Sequence, residues 1–224
     1  MIYILNTYDD DAQRLRVSRE ELAWPRLRAE GAVPLCLWRI ILGDRPGRVL
    51  ELLRFDSLAH WAQVTQQDTD PPESATLVHS VGLKPASRRH PGGQPQPVRA
   101  GSVWALRWMQ TAPNQMERMV AISEDVFWAK TQTNERQTTL GMLFAHAADR
   151  REIMMLTHYD SLAYWESTRE GRAPAARSEV DAEESRAALR DRNDLVVAQG
   201  VRLLLPISSI GPYQETITHE GGGR

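Results

Sequence analysis

The sequence predicts an α+β protein built from two tandem βαββαβ units in one chain. Three observations lead there. The block Phe55-Asp56-Ser57-Leu58-Ala59-His60-Trp61 returns as Tyr159-Asp160-Ser161-Leu162-Ala163-Tyr164-Trp165, with five of seven positions identical and two aromatic exchanges. At the same offset of 104 residues Trp24 meets Trp128, Glu20 meets Glu124, Val49 meets Ile153 and Leu52 meets Leu156. Between the copies runs Pro85-Ala86-Ser87-Arg88-Arg89-His90-Pro91-Gly92-Gly93-Gln94-Pro95-Gln96-Pro97, whose Pro and Gly content suits a linker.

Each element follows from local pattern. Residues 2–8 form an apolar strand, stopped by Asp9-Asp10-Asp11, which opens a helix over 12–30 that ends near Gly31. Residues 35–42 and 48–55 are apolar and β-rich, and Gly43-Asp44-Arg45-Pro46-Gly47 joins them as a hairpin. Asp56 is placed to cap a helix whose apolar side includes Leu58, Trp61 and Ala62, and a last strand covers 76–83. The second copy gives strands near 102–109, 139–147, 152–159 and 195–205, with helices near 113–133, 161–169 and 179–192. The chain thus divides into a unit over 1–85, a linker over 86–100, a second unit over 101–212 and a tail over 213–224.

A βαββαβ unit is ferredoxin-like: a four-stranded antiparallel sheet with helices on one face. The bare face needs a cover. Two copies can cover each other, which predicts an intrachain, barrel-like pair.

Composition narrows the partners. Lys and Arg number 27 against 29 Asp and Glu, so the net charge of −2 gives no basic excess for nucleic acid or an anionic membrane surface. Cys36 is the single cysteine, which rules out an intrachain disulfide and a Cys₄ or Cys₂His₂ zinc site, and its apolar strand suits a buried thiol. No apolar run approaches the roughly 18–20 residues of a membrane span. Met1-Ile2-Tyr3-Ile4-Leu5 reads as a strand and not as a signal peptide, which places the protein in the cytoplasm. A small-molecule partner is expected, and exposed sheet edges leave a homodimer open.

Val49-Leu50-Glu51-Leu52-Leu53-Arg54-Phe55-Asp56-Ser57-Leu58, preceded by a Gly-containing hairpin, resembles the NIPSNAP family of the dimeric α/β-barrel superfamily. That family's motif runs roughly VVHLWRYDSL, and its first strand resembles YELRTY. The likeness covers both copies on short segments. It implies units paired through their sheets, with a cavity inside the barrel or between sheet and helices. Relatives include cofactor-free monooxygenases, cyclases and haem enzymes. The family's motif His falls on Glu51 and Met155, its Trp on Leu53 and Thr157, and its first-strand Arg on Asn6 and Arg107. The polar family positions are therefore kept only in part, and differently in each half.

The chain carries no P-loop, G-x-G-x-x-G, G-x-S-x-G, H-E-x-x-H or EF-hand pattern. Candidate residues come instead from polar groups on apolar strands. Glu51 interrupts such a strand; alternation sets it with Val49, Leu53 and Phe55, and an apolar helix-covered face would turn it into the barrel, with Arg39 as its partner. It would act there as a general base or anchor; the competing reading is a solvent-facing Glu–Arg pair. Arg107, Asn6 and Tyr8 would form a polar cluster in an apolar cavity or an interdomain hydrogen-bond network.

His146 and His158 lie on the second hairpin. With a turn at Ala148 to Arg151, His146 falls near Ile153 and His158 near Gly141, roughly 16 Å apart at 3.3 Å per residue, too far to share a metal. Each stands as an acid–base group, a haem ligand or a hydrogen-bonded strand residue. Trp24, Trp61, Trp128 and Trp165 repeat at helical positions and read as core, whereas Trp38, Trp104 and Trp108 on strands are pocket candidates. The charged run Arg177 to Asp194 reads as a solvated helix face. The function these residues suggest is a small-molecule enzyme that binds an apolar or aromatic substrate in the barrel. Cofactor-free oxidation, cyclisation or isomerisation is what the superfamily implies. A non-catalytic scaffold and a haem-binding barrel are the alternatives; no metal and no cofactor other than that haem is expected.

Overall fold

The computed structural model of the chain describes residues 1–43, 45–66, 76–87, 90, 101–128, 137–145, 152–169 and 179–208. In the first unit β1 (Ile2–Asp9) leads into α1 (Ala12–Ser18), a π-helical turn (Arg19–Ala23) and α2 (Trp24–Ala29). Then come β2 (Val33–Leu42), β3 (Val49–Phe55), α3 (Leu58–Gln66) and β4 (Thr76–Pro85). The second unit repeats the order with β5 (Val103–Thr111), α4 (Met116–Ala121) followed by a π-helical segment (Ile122–Trp128), β6 (Gln137–Ala145) and β7 (Glu152–Tyr159). It ends with α5 (Leu162–Ser167), α6 (Glu179–Asp194) and β8 (Val196–Ser208). The expected tail over 213–224 and most of the expected linker lie outside the described residues.

Local chemistry sets the helix starts. Asp11 accepts the Arg14 N–H and so caps α1. In the repeated block the cap is the serine: Ser57 Oγ accepts the His60 N–H at 3.0 Å, and Ser161 Oγ accepts the Tyr164 N–H at 3.2 Å. Asp56, expected to cap α3, instead donates its own N–H to His60 Nδ1 at 3.3 Å. The hydroxyl one residue later has the shorter reach to the first free N–H groups.

Strand order is β1-β3-β2-β8-β5-β7-β6-β4, closed back onto β1, with every pairing antiparallel. Each unit supplies one four-stranded ferredoxin-like sheet. The β2–β8 and β4–β6 seams join the two sheets into one eight-stranded barrel. Closure leaves no strand edge open among these pairings. Gly43 allows β2 to turn beside β8, since a Cβ there would sit 2.7 Å from the Val201 carbonyl oxygen.

Alternation along the strands separates two apolar layers. The lumen holds Leu5, Trp38, Leu50, Leu52, Trp104, Leu106, Leu156 and Leu204. Outside the barrel, Val49, Leu53 and Phe55 meet Leu15, Trp24 and Leu27 of the first helix layer. Met109, Ile153 and Met155 meet Met119 in the second. Trp38 and Trp104, each 1% exposed, pack edge to face at 5.8 Å and tie the two units together inside the barrel.

Leu204 lies on β8, opposite Ile40 of β2 and Trp104 of β5, and is wholly buried. Leu204→Ala is expected to cost about 2–5 kcal/mol in urea unfolding, against about 0.5 kcal/mol or less for Leu77→Ala on the exposed end of β4. Equal costs would contradict a packed lumen.

Candidate functional site

Glu51 lies on the helix-covered side of β3, not in the lumen, and is 0% exposed. Leu50 and Leu52 take the lumen positions, so the apolar lumen core excludes the carboxylate. The helix side accepts it because α1, α2 and β1 bring donors. Trp24 Nε1 donates to Oε1 at 2.7 Å, and Arg19 Nε stands 3.4 Å from the same oxygen. Tyr8 OH donates to Oε2 at 2.8 Å and Asn6 Nδ2 at 3.2 Å. Arg19 also donates to the Tyr8 hydroxyl, and Ser80 to Asn6 Oδ1. Arg39, the expected partner, is exposed near the end of β2 and faces Val49 across the ladder. The cation comes from the helix instead.

The π-helical turn explains how two helix residues reach one carboxylate. Arg19 and Trp24 are five residues apart; regular α-helical geometry would set them about 140° apart around the axis. In the wider turn the Trp24 N–H bonds the Arg19 carbonyl, which stacks the two on one side. Burial, and then the Glu51 charge, push the Tyr8 hydroxyl far above the ordinary tyrosine range, so it stays protonated and donates.

Arg107 does not join this cluster. It stands in the second unit where Asn6 stands in the first: Asn6 opposes Glu51, and Arg107 opposes Met155. Arg192 of α6 faces the same region and is 6% exposed, so the charged run is not wholly solvated. Burial, and next the Arg107 charge, pull the Arg192 guanidinium down to about 10.

His158 points into the lumen, 6% exposed, with its ring against Trp104 at 5.0 Å. It opposes Thr138 and not Gly141, because Ile153 pairs with Phe144, two residues before the expected partner, and β6 shifts by one more residue between Thr139 and Met142. The void in the lumen core holds about 10 Å³, room for about one water, and His158 does not line it. His146 lies outside the described residues. Trp38 lines that small void, and Trp104 packs against it. Cys36 is fully buried, its thiol aimed at the Ser208 carbonyl oxygen at 3.2 Å and pushed well up by burial.

The open space lies at one end of the barrel, where β1 and β5 finish and β4 and β7 begin. A cavity of about 370 Å³ has Leu5, Val81, Leu106 and Met154 as its apolar part. Thr7, His79, Trp108, Gln110, Glu152 and Arg202 supply the rest. Gln110 Nε2 donates to Glu152 Oε1 at 2.9 Å across the β5–β7 ladder. Of these polar residues none was singled out by sequence reasoning; Trp108 alone of the lining was. The available signal was alternation: Thr7, Gln110 and Arg202 continue the lumen faces of Leu5, Leu106 and Leu204. Such a mouth can hold a ring-sized ligand, place a cation on an anionic oxygen and offer an imidazole for proton transfer.

Two outcomes follow for the Glu51 network. Glu51→Leu or Arg19→Leu alone should each cost about 3–5 kcal/mol in urea unfolding, and the double substitution less than their sum. Single costs under about 1 kcal/mol would contradict a structural pair. The raised Tyr8 value sets a pH trend. The unfolded chain releases this proton near its ordinary value of about 10 and the folded chain keeps it, so stability falls as pH rises through that value. Tyr8→Phe should flatten that fall, read as melting temperature against pH.

No protein-family model matches the chain, and no curated protein is similar in sequence. Solved structures do share its fold. A proposed monooxygenase from Fusobacterium nucleatum superposes with a TM-score of 0.59 at 10% identity, covering 94% of this chain and 95% of its own. An anthrone oxidase-like protein gives 0.57 at 12% identity over 93% and 92%. A variant chlorite dismutase from Candidatus Nitrospira defluvii gives 0.56 at 10% identity over 92% of each chain. At such identities the likeness concerns the fold, and it extends over both units: the chain has the tandem, ferredoxin-like dimeric α/β-barrel architecture.

Proposed function

We propose that the chain is an enzyme of small-molecule metabolism whose apolar or aromatic substrate enters the open end of the barrel. The observation that carries this reading is the cavity of about 370 Å³, within the size range of small-molecule sites of roughly 300–1,000 Å³ and lined by both apolar and polar groups. A scaffold has no need to hold open a lumen that it could fill with side chains, as the same barrel does one layer deeper.

The pseudo-symmetric strands give the cavity two different walls. Thr7 pairs with His79 across β1 and β4, and Trp108 takes the position of Thr7 in the second unit. One wall is polar and one aromatic. A planar substrate would rest against Trp108 and turn a hydroxyl or carbonyl toward Thr7 and His79. Arg202 would hold an oxyanion, and His79 would move the proton. Glu152, fixed by Gln110, is the second proton-accepting group. Proton removal next to a carbonyl or from a phenol is the common first step of cofactor-free oxidation, cyclisation and isomerisation. The names of the monooxygenase and anthrone oxidase-like neighbours support the oxidation branch. The NIPSNAP-like motif on β3 supports the same superfamily reading.

The test is a native mass spectrum and absorbance spectrum of protein purified from its own host. A stoichiometric small molecule is expected, released on unfolding. Arg202→Met should weaken its affinity roughly 10- to 150-fold, the loss of one charge-assisted contact. A bare-chain mass, and no binding of any compound from a panel of phenols, quinones and aromatic acids, would favour the scaffold.

A further inference from the structure

Gly200 sits in the middle of β8, directly opposite Trp108 on β5. A Cβ at that position would lie 2.3 Å from Trp108 Nε1, 2.5 Å from Cε2 and 2.8 Å from Cζ2. These distances are far inside van der Waals contact. The backbone at Gly200 is outside the left-handed region, so no strained dihedral calls for glycine there. Glycine within a strand weakens it, and a compensating reason is the close approach of another group. That group here is the indole.

An indole is a rigid plate with two side-chain torsions, so it cannot yield at one end. A side chain at residue 200 would rotate it away from the β8 wall. The cavity at the barrel mouth lies beside it and offers the space. We propose that Gly200 is a specificity-determining residue: it is the notch that parks Trp108 against the wall and keeps the mouth wide enough for a ring-bearing substrate. The proposal rests on the reading of this cavity as the substrate site. The equivalent wall in the first unit has no such pair, since Thr7 and His79 stand at the corresponding positions. Ring selection therefore belongs to the Trp108 side and polar contacts to the Thr7 side.

The experiment uses the full chain and 1-anilinonaphthalene-8-sulfonate, a ring-bearing anion, as probe, with cooperative unfolding checked for every variant. Gly200→Ala should weaken probe binding about tenfold or more, and Gly200→Ala with Trp108→Ala should return it to within about threefold of Trp108→Ala alone. In protein carrying 5-fluorotryptophan, the Trp108 fluorine resonance, assigned with Trp108→Phe, should move in Gly200→Ala. An unmoved resonance, or a double variant more than about threefold weaker than Trp108→Ala alone, overturns the notch. A wild-type protein that binds no such probe while its Trp108 resonance still moves in Gly200→Ala overturns the substrate-site reading and the specificity role with it.

Discussion

Everything in this molecule depends on sheet closure. A single βαββαβ unit has one apolar face and two open edges, and neither is tolerable in water. The tandem repeat resolves both at once. β8 pairs with β2 and β5, and β4 pairs with β1 and β6, so each unit's outer strands become the seams of a barrel. The two bare faces then form the lumen. A lumen of eight strands is just wide enough for side chains to fill. The leucines and the Trp38–Trp104 pair fill it at the centre, and the ring of residues beyond them leaves it open at one end.

The repeat gives the architecture its pseudo-symmetry, and the sequence differences give each half its chemistry. Equivalent strand positions carry Asn6 against Glu51 in one unit and Arg107 against Met155 in the other. In the first, a buried carboxylate collects a tryptophan, a tyrosine, an amide and an arginine, and so fastens the helix layer to the sheet. The arrangement is costly to break because every member would be left buried without its partner. In the lumen the same asymmetry sets Thr7 and His79 across from Trp108 and Gly200. A barrel made of two identical halves would present the same wall twice.

The fold was legible because its signals are redundant. The repeated Asp-Ser-Leu-Ala block, the paired tryptophans and the strand alternation all point to one architecture, and a small error in any boundary leaves it intact. The site was less legible because it depends on one binary choice, which face of each strand turns inward. Glu51 decided that choice the wrong way. A lone acid on an apolar strand looked as if it needed a polar lumen, but a π-helical turn about thirty residues upstream brings together the arginine and indole that satisfy it. No spacing rule announces such a turn. Once the face is set, Thr7, Gln110, Arg202 and His79 fall at the mouth by simple alternation. Trp108 belonged to the strand tryptophans from the start, while its packing on Gly200 needed three dimensions.

We propose the lumen mouth as the substrate site and the Glu51 network as a structural fastening. A crystal structure of the protein carrying 1-anilinonaphthalene-8-sulfonate tests this most directly. The rings are expected between Trp108 and the Thr7–His79 wall, with the sulfonate at Arg202 and the bonds around Glu51 unchanged. A probe lodged between the helices and the sheet, displacing Arg19 or Trp24 from Glu51, would contradict it.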